Sequence, residues 1–155
     1  MVAQKTGYRW WFNGLAGLEE NARGLAVLAG GIDSKTVFVR AKSPSLGLAL
    51  VQERLAQAAA YAVVTHDFDP DREGDARLLK HVTAFDRPET RNDAFKEQIQ
   101  ALYRTLTGVP LPADAAEPAE LVTLWSNVYS VSASTTTAWT AVISAVLRDP
   151  RVVMY

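Results

Sequence analysis

Between His66 and Asp75 the chain reads HDFDPDREGD, with Asp67, Asp69, Asp71 and Glu73 alternating along it. Carboxylates alternating in a loop broken by proline and glycine can converge on a hard cation, and the spacing matches the first half of a calcium-binding loop. The second half departs from that pattern. Arg72 stands where glycine is needed for the turn, and Leu78 where a bidentate glutamate would close the shell. A calcium site at Asp67, Asp69, Asp71 and Glu73 is therefore one expectation. The other is a solvated loop whose acids cap a helix beginning near Asp75. His66 beside Asp67 could serve as an oriented base. However, no GxSxG elbow surrounds a serine, and the one other histidine, His81, lies fifteen residues on. Zero cysteines exclude thiolate metal sites, disulfides, c-type haem attachment and cysteine nucleophiles within this chain. No HExxH pattern, Walker loop or dinucleotide fingerprint is present. No catalytic residue can be named, which favours a role other than catalysis, with no cofactor beyond calcium in view.

A second cluster opens the chain. Tyr8, Trp10, Trp11 and Phe12 place four of the fourteen aromatic residues in five positions, with Arg9 among them and Asn13-Gly14 following. Large aromatics are generally buried, so this segment is expected to cap the core and to end in an Asn-Gly turn. The alternative is an exposed platform on which Arg9, Trp10 and Trp11, together with His66, bind a ligand or partner.

Helices must position these groups. Bulky apolar residues recur at helical spacing in three stretches: Phe95, Ile99, Leu102, Tyr103, Leu106; then Leu121, Leu124, Trp125, Val128, Tyr129; then Trp139, Val142, Ile143, Val146, Leu147. Such spacing aligns the side chains on one stripe of a helix and scatters them over both faces of a strand. Three core-facing helices follow, with Tyr103, Trp125, Tyr129 and Trp139 consumed by packing. Gly108 ends the first of them, after a start capped by Thr90 or Asn92. The LTGVPLP run forces an extended link to the second, and the hydroxyl-rich SVSASTTT run from Ser130 to Thr137 supplies a turn and an N-cap for the third. Asp149-Pro150 ends the third helix.

Upstream, Leu15, Leu18, Ala22, Leu25 and Leu28 predict a first helix stopped by Gly30-Gly31. Thr36 to Arg40, TVFVR, suits a short strand or extended connection, paired with the aromatic opening or with Val152–Tyr155. Ser43 before Pro44 predicts the start of a long helix striped by Leu48, Val51, Leu55, Ala58, Ala59 and Ala62. Leu78, Leu79 and Val82 suggest a short helix that Asp86-Arg87-Pro88 interrupts. The expected fold is mainly α: one helical domain over 1–155, a bundle of five to seven helices with one or two short extended segments. Residues 1–40 form its aromatic opening, helix and extended piece, and 43–155 its helical body.

With 155 residues, a chain of this kind removes roughly 70% of its unfolded surface from water on folding. Hydrophobic content of 48% and charged content of 21% are ordinary for a globular domain and argue against disorder or a coiled coil. A net charge of −1 provides no field for nucleic acid. Arg72, Arg77, Lys80, Arg87 and Arg91 are interleaved with acids, so no basic patch compensates. No stretch reaches the length of apolar sequence that spans a bilayer, and no leader of the secretory type opens the chain; a soluble protein is expected.

The segments LYRTLTG, LPAD, LWSNVYS and AWTAVISAVLRDPRVVMY, over Phe95 to Tyr155, resemble C-terminal helical segments of large uncharacterised proteins from planctomycetes and myxobacteria. SLGLALVQERLAQAAAYAVV, earlier in the chain, is loosely similar to the same group. That resemblance implies a helical module detached from a larger protein, of the kind that often carries a cytochrome c-like domain elsewhere and is exported; a periplasmic setting would follow. It carries over no catalytic or haem-binding residue. The function expected is a non-catalytic interaction or accessory domain for a protein partner or companion domain. The alternative is a small-ligand, metal-binding or hydrolytic protein using the His66 to Glu73 loop.

Overall fold

The computed structural model describes residues 2–12, 14–17, 24–32, 36–40 and 45–153. They are mainly helical, as the periodicity requires: α1 (Val2–Thr6), β1 (Trp11–Phe12), β2 (Leu15–Ala16), α2 (Leu25–Leu28), α3 (Leu46–Phe68), α4 (Pro88–Thr107), α5 (Glu117–Ser132), α6 (Thr135–Leu147) and α7 (Pro150–Val153). Two compact units can be distinguished, Met1–Tyr8 with Gln57–Tyr155, and Arg9–Ala56.

In the larger unit, α4, α5 and α6 pack on one another, and α4 also meets α1 and α7. The first and third apolar stripes are buried throughout: Phe95, Ile99, Leu102, Tyr103 and Leu106 on α4, and Trp139, Val142, Ile143, Val146 and Leu147 on α6. Phe95 is the hub, its ring centroid 5.2 Å from that of Trp125 at 89° and 5.1 Å from that of Trp139. Both tryptophans are within 1% of full burial, and neither indole N–H has a hydrogen-bond partner, so ring packing alone holds them. The second stripe differs from expectation. Of its five residues Trp125 is fully enclosed, while Leu121, Leu124, Val128 and Tyr129 are half-buried. Tyr129 is therefore not core: it stacks on Trp125 at 5.0 Å and 13°, and the Arg87 guanidinium covers its ring 4.4 Å from the centroid. An aromatic ring can satisfy itself against a cation at the surface as well as against carbon inside.

Helix ends account for much of the remaining architecture. Ser134 caps α6 through its hydroxyl, which accepts from the Thr137 N–H at 3.1 Å, as the hydroxyl-rich run suggested. α4 begins at Pro88, a residue that loses nothing at a first helical position, and Arg91 (φ −137°, ψ 43°) kinks it; neither Thr90 nor Asn92 starts the helix. Gly108 closes α4 at φ +76°. Lys5 of α1 reaches the same end, donating from Nζ to the carbonyls of Thr105 (2.6 Å) and Leu106 (3.1 Å), where a helix dipole favours a cation. Arg151 joins α7 to α5, binding Asp149 at 2.7 Å and Glu117 at 3.4 Å.

The end of α1 makes a prediction. Gly7 sits at φ +70°, and a Cβ there would lie 2.7 Å from Arg77 Nη1, which donates to the Thr6 carbonyl. Gly7→Ala should cost about 1–2 kcal/mol, because a left-handed alanine is strained and the arginine must leave its acceptor. Gly108→Ala, equally left-handed but open to solvent, should cost less. Thermal unfolding of the two variants side by side checks the order.

Several expectations upstream and at the C-terminus are corrected. Leu15 lies in a strand rather than a helix: β1 and β2 form an antiparallel hairpin with Trp11 opposite Ala16 and Phe12 opposite Leu15. The Asn-Gly dipeptide favours a hairpin connection, and that local signal outweighs a stripe interrupted by Gly17 and Gly24. Leu18, Ala22 and Asn13 lie outside the described residues, and helix is observed only over Leu25–Leu28, with Gly30 at φ +84° after it. Thr36 to Arg40 forms no strand, since β1 already pairs with β2 and Val152 belongs to α7; Phe38 and Val39 are each 71% exposed. Ser43 and Pro44 lie outside the described residues, and Ser45 caps α3, its hydroxyl accepting from the Leu48 N–H at 3.1 Å. Further along α3, the buried stripe runs through Ala56, Ala59, Ala60, Val63, Val64 and Asp67, not through Leu55, Ala58 and Ala62. The β-branched valines and the aspartate face inward, and alanines can occupy either face at little cost.

Candidate functional site

α3 extends through Phe68, so His66 and Asp67 belong to its last turn and not to a loop. From Asp69 to Arg87 the chain then forms no helix or strand. Leu78, Leu79 and Val82 are buried as their types demand, but the short helix expected there is absent. Asp67 holds this segment instead. Its side chain is fully buried, Oδ1 accepts from the Arg77 N–H (2.8 Å), and Oδ2 accepts from those of Leu78 (2.8 Å) and Leu79 (2.9 Å). Three consecutive backbone donors are thus turned together toward one carboxylate. Burial alone would raise the Asp67 pKa; the N–H donors of Leu79, Arg77 and Leu78, with His66 Nδ1 at 2.9 Å, outweigh it and hold the carboxyl below the ordinary aspartate value.

A second clamp comes from α4. Gln98, fully buried, accepts from the His81 N–H through Oε1 (2.9 Å) and donates from Nε2 to the Leu78 carbonyl (2.8 Å). Long structureless connections are uncommon in compact domains unless something holds them, and here a carboxylate on one helix and an amide on the next do so. Gln98 escaped the sequence reading, although its place one turn beyond Phe95 puts a polar residue on an apolar face.

The acidic residues do not converge. Asp69 and Asp71 form a local turn, Asp69 Oδ1 accepting from the Asp71 N–H at 2.9 Å. Asp69, Asp71 and Glu73 face solvent while Asp67 turns inward, and among the described residues no group of three or more His, Asp or Glu could hold a metal ion. Arg72 donates from Nη1 to the carbonyls of Asp67 (3.3 Å) and Asp69 (3.5 Å), supplying the cation favoured at the end of α3. His66 is 23% exposed, and Asp67 is the hydrogen-bond partner of its ring. Arg9, Trp10 and Trp11 belong to the other unit, where Arg9 is exposed, Trp10 half-buried and Trp11 51% exposed.

Beside the clamped segment lies an open groove of about 510 Å³, between the end of α3 and the Thr83–Asp86 turn. Phe68, Leu79, Val82 and Phe85 line it together with Arg72, Asp75 and Lys80. That turn is rigidly built: Asp86 Oδ2 accepts from the Thr83 N–H (2.7 Å) and hydroxyl (3.1 Å), and Arg91 holds the carboxylate at 3.2 Å. It presents Phe85 to solvent, 90% exposed. The arrangement shows no nucleophile hydrogen-bonded to His66 among the described residues. The molecule is thus defined as a mainly helical protein with a clamped α3–α4 connection and an adjoining groove. Comparison with family models, with curated proteins and with solved structures finds no match to it. Among the described residues no helix is long and apolar enough to cross a membrane.

Proposed function

We propose that the chain is a non-catalytic interaction module that docks an apolar protein surface through its Arg9–Ala56 unit. The observation that carries the reading is exposure. Of the large hydrophobic residues at least 51% exposed among the described residues, Trp11, Leu28, Phe38, Val39, Leu46 and Leu50 fall within that one unit of under fifty residues, against Tyr61, Phe85 and Val131 in the larger one. Leu46 and Leu50 stand one turn apart on the same face of α3. Covering a leucine or phenylalanine side chain is worth about 1.5–3 kcal/mol, so such a concentration favours association. The larger unit supports the same reading from the other side, since its tryptophans are spent on packing and its buried carboxylate on backbone amides. A companion-domain role would suit the helical modules that Phe95–Tyr155 resembles, exported proteins included.

The test is light scattering and cross-linking of the purified chain up to high micromolar concentration. Association that rises with concentration and is suppressed by Phe38→Lys or Leu46→Lys supports the reading. A monomer that forms no cross-links counts against it.

A further inference from the structure

We infer that α5 pairs with the α5 of a second copy of this chain, antiparallel and related by a two-fold axis, through Leu121, Leu124, Val128 and Val131. This contact is separate from the docking surface proposed above, because all four residues belong to the larger unit.

Their spacing is that of a seam between helices. The four residues recur at offsets 0, 3, 7 and 10, the alternation by which one helix lies along another. α5 packs on α4 and α6 with Pro118 and Trp125 buried. Leu121, Leu124 and Val128 are covered only in part, and Val131 is 89% exposed. A β-branched residue gains nothing locally from an exposed helical position, since the helix restricts its χ1. Burying Val131 against another apolar helix recovers area that folding leaves in water.

Charge indicates the kind of partner. No Asp, Glu, Lys, Arg or His occurs from Leu121 to Leu147, in a chain that is 21% charged. Interface centres are depleted in charge in the same way. A face without charges strands none when it meets a copy of itself.

The order of side chains along the seam fits a two-fold axis. The offsets are the same read in either direction, so an antiparallel partner brings Leu121 opposite Val131 and Leu124 opposite Val128. Every leucine then faces a valine, and large against small interlocks. A parallel pair would set leucine on leucine at one end and valine on valine at the other. Glu120, beside the seam, meets Ser132 of the second copy in the antiparallel pair and another Glu120 in the parallel one, where like charges repel. Antiparallel alignment also opposes the two helix dipoles. One 16-residue helix is about 24 Å long, so the contact falls short of the roughly 1,200 Å² that stable complexes bury. The dimer is accordingly weak and reversible, with a Kd on the order of 100 µM.

The experiment is sedimentation equilibrium of the intact chain from about 10 µM to about 1 mM, where a reversible monomer–dimer equilibrium is expected. Val131→Glu should weaken dimerisation by about ten-fold or more, since it sets an unpaired carboxylate in the seam near Glu120 of the second copy. Ser130→Glu, one residue away and off the seam, should leave it unchanged. Both side chains are exposed in the monomer, so both variants keep the fold. The chain has no cysteine, so Leu121→Cys and Val131→Cys chains can be oxidised alone or as a mixture. Antiparallel pairing brings positions 121 and 131 within disulfide reach across the axis and sets like positions about 15 Å apart. The mixture should therefore cross-link about ten-fold faster than either variant alone. No dimer at the highest concentration, a dimer indifferent to Val131→Glu, or fastest cross-linking between two Val131→Cys chains would each overturn the inference. A dimer lost with Phe38→Lys and kept with Val131→Glu would also overturn it, while leaving docking through Arg9–Ala56 standing. A dimer lost with Val131→Glu and kept with Phe38→Lys supports pairing through α5 and speaks against that docking surface.

Discussion

Replacing Asp67 by asparagine is expected to destabilise the larger unit by about 3 kcal/mol, because one buried side chain satisfies three consecutive backbone N–H groups and a histidine. Asparagine keeps one acceptor and turns an NH2 group toward donors, so either the Arg77 amide or those of Leu78 and Leu79 lose their partner. Amide hydrogen exchange should locate the damage: Arg77, Leu78 and Leu79 lose protection first. The pH dependence has a definite sign. Folding lowers the Asp67 pKa, so the stabilisation is fully present above the unfolded aspartate value, about 4, and is lost as pH falls through the still lower folded value. Wild-type stability should thus fall on acidification below about pH 4 more steeply than that of Asp67→Asn, which has no proton to take up there. Denaturant midpoints at neutral pH and across the acid range decide it. Parallel curves for the two proteins would show that the clamp contributes nothing.

Phe95→Ala should be the most damaging apolar truncation, about 3–5 kcal/mol, or more than 6 °C in melting temperature for a chain of this size. Phe95 is fully buried between Trp125 and Trp139 and is the ring through which α4 meets both α5 and α6. Neither indole N–H has a hydrogen bond to hold its ring in place, so the cavity would be bordered by side chains fixed only by contact. Tryptophan emission should shift to the red as water enters. A truncation at Leu124, half-buried on α5, should cost clearly less, and equal losses at the two positions would mean that the aromatic hub is not the centre of the core.

Both predictions rest on features of unequal visibility in the amino-acid order. Phe95 stood out because a helix repeats every 3.6 residues, and a fully apolar stripe at that period has nowhere else to go. α6 was legible for the same reason, and its Ser134 cap because a hydroxyl ahead of an apolar run satisfies a free N–H. Asp67 was visible only as one of four alternating carboxylates, and the pattern pointed to a cation. What distinguishes it from Asp69 and Asp71 is one further turn of α3, which carries its side chain inward while theirs remain in water. That turn depends on the inward stripe of Val63 and Val64, and alanines on both faces of α3 left the stripe ambiguous by one position. Likewise, Tyr129 has the type and spacing of a core residue, and only the arrival of Arg87 from the preceding connection makes a half-exposed position favourable.

The division follows the range of the forces involved. Elements whose preference is local, the α4 and α6 stripes, the cap of α6 and the terminator at Gly108, could be read from neighbours along the chain, since period and capping act within a few residues. The Asp67 and Gln98 clamps, the groove beside them and the exposure of Phe85 arise from partners up to twenty residues apart in sequence, meeting only when α3 and α4 are in place. A carboxylate carries no mark of whether it will bind a metal, face water or gather amides. Folding decides that, because the cost of burying a charge is met only where enough N–H groups are brought to it.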